Sequence, residues 1–191
     1  GDAAPVLTLN LADNTRPWDV DYDASTDRAY VALTNGTVAV FDEVTARMNS
    51  GMTTLTAQDR TIIPAVGGTA LLAPSNIHGI DFDPASGNLI LSDVGSAADA
   101  TDGKLYVLSA ADSADGLTEI QVNIGGANSN LGNPVDIMYS GSDLFVAEKS
   151  NNVIMRFDNI LASEGGDIAA NATISFNAPE SVAIIPHYIS E

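Results

Sequence analysis

A chain of 191 residues with 45% hydrophobic side chains can bury a sizeable core and is too apolar to stay disordered. Its 25 carboxylates against seven Lys and Arg leave a net charge of −18, a surface that repels phosphate backbones and anionic lipid, so neither nucleic acid nor membrane is expected as a partner. The absence of cysteine excludes disulfides, thiolate metal sites and a thiol nucleophile, and no apolar run approaches the roughly 18 residues of a membrane span.

In chain order, "PVLTLNL" (5–11) reads as a strand, the fourth of a unit whose other strands are missing. "RPWDVDYDASTDRAYVALTNGTVAVFDEV" (16–44) then gives three short strands separated by polar turns. After a looser linker, "DRTIIPA" (59–65) supplies a fourth. The pattern returns in "NIHGIDFDPASGNLILSDVGSAADATDGKLYVLSA" (76–110) with "LTEIQVNI" (117–124), and again in "NPVDIMYSGSDLFVAEKSNNVIMRFDNI" (133–160) with "ATISFNA" (172–178). "ESVAIIP" (180–186) reads as a first strand without successors. Asp23 and Asp83 suit the first turn of their units because a carboxylate there accepts from backbone amides two residues on.

A fixed unit of four antiparallel strands, repeated, is the pattern of propeller blades, whose faces are buried only by neighbouring copies. The expected fold is therefore all-β: four-stranded antiparallel blades over about 17–65, 77–124 and 134–178, within a single segment spanning 1–191. Three complete blades plus flanking strands fall short of the four or more of a closed ring. The expectation is a partial propeller belonging to a longer chain, or half of a ring closed by a homodimer. Either way, the apolar flanks at Val6, Leu7, Leu9 and Leu11 and at Val182, Ile184 and Ile185 need a cover.

"LFVAEKSNNVIMRF" resembles the second and third strands of NHL-type repeats, and "APSNIHGIDFDPASGNLILSD" their opening and its continuation. "RFDNILASEGG" is similar to bacterial extracytoplasmic repeat proteins of this kind. The resemblance covers nearly the whole chain. It departs at Asp21 and Asp81, where those repeats prefer a small apolar residue, and at the insertion "VGSAADATDG". It implies an extracytoplasmic propeller that binds a protein or small-molecule ligand on its upper face.

Aligned repeats put Asp19, Gly79, Asp136 and Ser181 at the channel mouth, with Asp93 and Glu148 on the same rim and Asp99 and Asp102 nearby. Asp19, Asp136, Glu148 and Asp93 are thus the candidate ligands for calcium, the one cofactor considered, since that ion takes 6–8 oxygens. The plainer reading is that Asp93 and Glu148 cap their own turns. Asp21, Asp81 and His78 are expected to line the channel. Trp18, beside the mouth, is expected to pack between blades more than to stack a ligand. His187 near the end is expected to be exposed, and "DSADG" (112–116) lacks the alternation and closing Glu of a calcium loop.

No G-x-S-x-G, H-E-x-x-H or phosphate-loop pattern occurs, so the usual hydrolase and nucleotide signatures are missing. The first functional reading is a binding or interaction module without catalysis. The alternative is a calcium-dependent lactonase or esterase of the six-bladed gluconolactonase type, which this sequence resembles without a residue-by-residue match to that family's ligands. The first reading expects millimolar Ca²⁺ to raise the melting temperature only slightly. The second expects a shift of several degrees that chelation reverses, as ligand linkage requires for tight binding.

Overall fold

The computed structural model describes residues 2–71 and 73–184. Within them the strands are β1 Thr8–Leu9, β2 Pro17–Asp23, β3 Arg28–Leu33, β4 Val38–Phe41, β5 Thr54–Leu55, β6 Arg60–Val66 and β7 Thr69–Ala70. There follow β8 Ile77–Asp83, β9 Asn88–Asp93, β10 Lys104–Leu108, β11 Gly116–Ile124, β12 Pro134–Ser140, β13 Asp143–Glu148, β14 Val153–Phe157 and β15 Ala172–Ser175. One short helix, α1, covers Val44–Asn49. The middle strands "RAYVAL" and "VAVF" are apolar almost throughout, and "NLILSD" over Leu89–Leu91, because both of their faces are buried.

Hydrogen bonding sorts these strands into three antiparallel blades, β2-β3-β4-β6, β8-β9-β10-β11 and β12-β13-β14-β15. The fold is therefore all-β and propeller-like. The first two blades also join at their outer edges, where β6 and β11 pair in parallel from Ile62↔Gly116 to Ala65↔Glu119. Between these blades lies a core of Tyr30, Val38, Val40, Ile80, Phe82, Leu91 and Tyr106, with Tyr30 and Phe82 rings stacked at 4.6 Å. Between the second and third lie Ile90, Val107, Ile137, Leu144, Val146 and Met155.

The opening segment departs from the sequence reading. It is not the last strand of a lost blade: Thr8–Leu9 pairs in parallel with Thr54–Leu55. Leu7, Leu9 and Leu11 pack with Leu55 over the outward face of the first blade, against Val31, Leu33 and Phe41. Half of the flank expected to be bare is thus covered by the chain itself, while Val20 and Tyr22 of β2 stay 58% and 44% exposed. At the other end, 181–184 form no strand, and Val182 packs near Val135, Ala147 and Ile154. Ile185 lies outside the described residues, as does His187.

The innermost strands β2, β8 and β12 stand side by side, and carboxylates join them. Asp19 Oδ2 accepts from Ile80 N (3.2 Å) and Asp21 Oδ2 from Phe82 N (2.7 Å). Asp81 Oδ2 accepts from Tyr139 N (2.6 Å), and Asp136 Oδ2 from Val182 N (2.8 Å). Each aspartate thus reaches forward to a backbone amide of the next innermost segment. Gly79 occupies the place that Asp19 and Asp136 hold in their repeats. A Cβ there would approach Ile137 N and Ser92 Oγ to 2.8 Å. Ser92 Oγ supplies the junction instead, accepting from Gly79 N (2.9 Å) and donating to Pro134 O (2.7 Å).

Asp21→Ala should strand the Phe82 amide in a partly buried position and cost about 1–3 kcal/mol, the usual penalty for an unsatisfied buried donor. Gly79→Ala should cost a similar amount by overpacking. Urea melts of both variants check this; wild-type midpoints would mean that the blades are held together by other contacts.

Candidate ligand cleft on the upper face

The upper face is the end at which β2, β8 and β12 begin and β3, β9 and β13 finish. Glu148 lies opposite Pro134 on the β12–β13 ladder, and Asp93 opposite Ile77 on the β8–β9 ladder, so both close their strands at this end. Both are buried and fully engaged. Asp93 accepts from Asn76 N (2.7 Å), Gly95 N (2.8 Å), Ser75 Oγ (2.9 Å) and Tyr106 Oη (3.2 Å). Glu148 accepts from Gly132 N (3.0 Å), Asn133 N (2.9 Å) and Asn151 N (3.2 Å). In both blades the carboxylate ties the segment leading into the first strand to the turn that follows the second.

Asp19 and Asp136 face one shallow hollow of about 200 Å³ together with Glu180. Besides the forward bonds, each accepts from the next amide of its own strand, Val20 N (2.8 Å) and Ile137 N (2.9 Å). Burial raises the pKa of Asp19, Asp21, Asp136 and Glu148 above the ordinary carboxylate range, opposed by these amide bonds. Asp81 is raised furthest, to about 6, by burial first and then by the charges of Asp21 and Asp19. Among the described residues no three His, Asp or Glu side chains converge as a cation cage would require. The four candidate calcium ligands accept from backbone amides, and Asp93 also from the Ser75 and Tyr106 hydroxyls. In the insertion, Asp102 Oδ2 accepts from Ser96 N (2.9 Å) and Asp99 Oδ1 from Thr101 N (2.9 Å).

Trp18 behaves otherwise than the sequence suggested, and it does so together with His78. His78 is buried, at 4% exposure, yet neither ring nitrogen has a hydrogen-bond partner. The indole of Trp18 lies flat on it, ring centres 3.7 Å apart and planes 17° from parallel. Trp18 itself is 50% exposed rather than packed between blades. Burial lowers the His78 pKa to about 4, so the imidazole is neutral near pH 7. The equivalence of Trp18 and His78 in the repeat, each one residue before the channel-mouth position, was a readable signal that they meet.

Together they form part of a cleft of about 600 Å³ between the first two blades. Arg16, Thr34 and Asn35 form its wall on one side, Ser75, Asn76 and Gly95 on the other. The turn carrying Asn35 comes close to Ser75 because Gly36, at φ 85°, has no side chain; a Cβ would meet Ser75 Oγ at 2.7 Å. A second hollow of about 380 Å³ lies beside the opening segment, among Leu9, Leu11, Val31 and Phe41, and holds no titratable group.

No family model matches the chain, and no curated protein matches it. Solved structures do. One from Bacteroides fragilis, described as a "putative 6-phosphogluconolactonase", superposes with a TM-score of 0.59 at 16% identity. The match covers 90% of this chain and 42% of that one, so the chain spans about two fifths of that protein's length. A likeness at this identity concerns the fold, and it agrees with the blades described above.

His78 and Asp81 give opposite pH slopes. The native state binds fewer protons than the unfolded chain at His78 between pH 6.5 and about 4, so this contribution to stability is lost as pH falls through that window. At Asp81 the native state holds a proton that the unfolded chain releases between pH 3.8 and about 6, so its contribution is lost as pH rises. Relative to wild type, His78→Phe should therefore gain melting temperature on going from pH 6.5 to 4.5, and Asp81→Asn should lose it. Thermal melts across that range check both; parallel curves for all three proteins would contradict the assigned burial.

Proposed function

We propose that this propeller segment is a binding module that seats a small ligand in the Trp18–His78 cleft. The carrying observation is a buried imidazole with both nitrogens unpartnered beneath a half-exposed indole. An unsatisfied buried polar group costs about 1–3 kcal/mol, and such groups concentrate where a site awaits a partner. A neutral imidazole offers one donor and one acceptor, which suits a ligand hydroxyl or amide. The cleft volume of about 600 Å³ suits a small molecule rather than a protein surface. An extracytoplasmic setting belongs to this reading through the likeness to bacterial extracytoplasmic repeats.

A second reading is favoured by the name of the structural neighbour: a lactone-hydrolysing propeller in which the upper face polarises an ester carbonyl. His78 would then be the acid–base group closest to hand. Fold alone carries neither reading.

Trp18 is the only tryptophan in the chain, so its emission reports this cleft alone. Titration with a panel of small cyclic alcohols, acids and amides should give at least one saturable change, weakened about tenfold or more in His78→Phe. A chain that hydrolyses gluconolactone above background, with loss of rate in His78→Phe, would favour the second reading. A panel that leaves the emission unmoved would remove the cleft from consideration.

A further inference from the structure

The cleft carries a cation at its edge with no carboxylate in its described lining. Among the described residues, none of the 11 that line it is acidic, although 25 of the 191 residues in the chain are. Arg16 is exposed at its edge, and among the described residues it is the one arginine without an ion pair. Asp42 holds both Arg28 and Arg60, Asp59 holds Arg47 at 2.8 Å, and Asp158 holds Arg156 at 2.6 Å. All four of these lie toward the lower end of their blades, whereas Arg16 leads into the upper end of β2. At His78 the charge of Asp93 is felt first and that of Lys149 opposes it, the Lys149 ammonium also contacting Glu180 at 2.6 Å. Inside the cleft the Asn76 Oδ1 atom and both His78 nitrogens are buried without partners.

We propose that the ligand of this cleft is a small organic anion with a flat ring, its carboxylate held by the Arg16 guanidinium and its ring laid on Trp18. This rests on the cleft being the binding site. The guanidinium is a planar fork matched to a carboxylate, and a fork left free in so acidic a protein is unusual. Beside the cleft Asp93 is committed to four donors, while Asp102 takes the Ser96 amide on Oδ2 and keeps Oδ1 buried without a partner. The half-exposed indole supplies a ring-sized apolar surface beside the fork.

Benzoate and its neutral counterpart benzamide separate the two claims. Both are titrated against Trp18 emission in wild type and in Arg16→Gln, with far-ultraviolet circular dichroism confirming that the exposed substitution leaves the fold unchanged. The expected result is a benzoate dissociation constant about tenfold or more below that of benzamide, the usual scale of a charge-assisted pair. In Arg16→Gln the two constants should agree within about twofold while benzamide binds as before. Equal affinity for both probes in wild type, or an undiminished benzoate preference in Arg16→Gln, overturns the anion proposal and leaves the cleft standing. Failure of benzoate to move the emission overturns the anion proposal, and the cleft falls with it only if the wider panel is silent as well.

Discussion

A carboxylate on one innermost strand accepting an amide proton from the next is the contact on which the geometry of this molecule turns. Asp19, Asp21 and Asp81 all make it, over a range of 2.6–3.2 Å, and Asp136 makes its counterpart to Val182 in a segment that forms no strand. The need arises from the propeller itself. Innermost strands pair on one edge only, with the second strand of their own blade, and their other edge carries amides that no ladder satisfies. Water reaches such amides at an open surface; between packed blades a side chain must serve. Aspartate reaches across the gap and offers two oxygens, so it can serve its own strand and the next at once.

The same arrangement sets the electrostatics. Burying several carboxylates near one axis is unfavourable, which is why burial raises their proton affinities and why Asp81, with Asp21 and Asp19 beside it, is raised most. The amide bonds offset part of that cost. Asp93 and Glu148 follow the same logic at the upper rim, where each gathers backbone donors from two segments of its blade. Much of the acid excess on the inner and upper parts of the molecule is thus structural, doing for backbone amides what a further strand would do. Arg16, Trp18 and His78 stand outside this scheme, and that contrast marks the cleft.

The repeat made the blades legible. Turn residues at fixed offsets and apolar runs of 4 to 7 residues located β2, β3, β4 and their counterparts, because blade strands are short and buried on both faces. The opening strand was misassigned because "PVLTLNL" has the apolar spacing of any half-buried strand, and spacing does not say which neighbour it pairs with. Asp21 and Asp81 were legible as anomalies, but the partner amides belong to other blades, and no local pattern names them. Turn chemistry close in sequence named only part of the capping by Asp93 and Glu148, the bonds from Gly95 and Asn151, and not those from Asn76, Gly132 and Asn133, which lie 15–17 residues earlier. His78 was harder: its position beside the rim was readable, whereas its lack of hydrogen-bond partners depends on which atoms surround it in three dimensions.

The central claim is that aspartate-to-amide bonds hold neighbouring innermost strands together, and amide hydrogen exchange at Phe82 and Tyr139 tests it most directly. These two donors face away from their own blade ladders toward Asp21 and Asp81. If the bonds fasten the blades, both amides exchange only through global opening, at free energies matching the stability from denaturant melts. In Asp21→Ala the Phe82 amide should exchange by local opening, well below the variant's global stability, while Tyr139 falls only by the drop in global stability. Exchange at Phe82 and Tyr139 in the wild-type protein as fast as at the exposed turn glycine Gly51 would contradict the account.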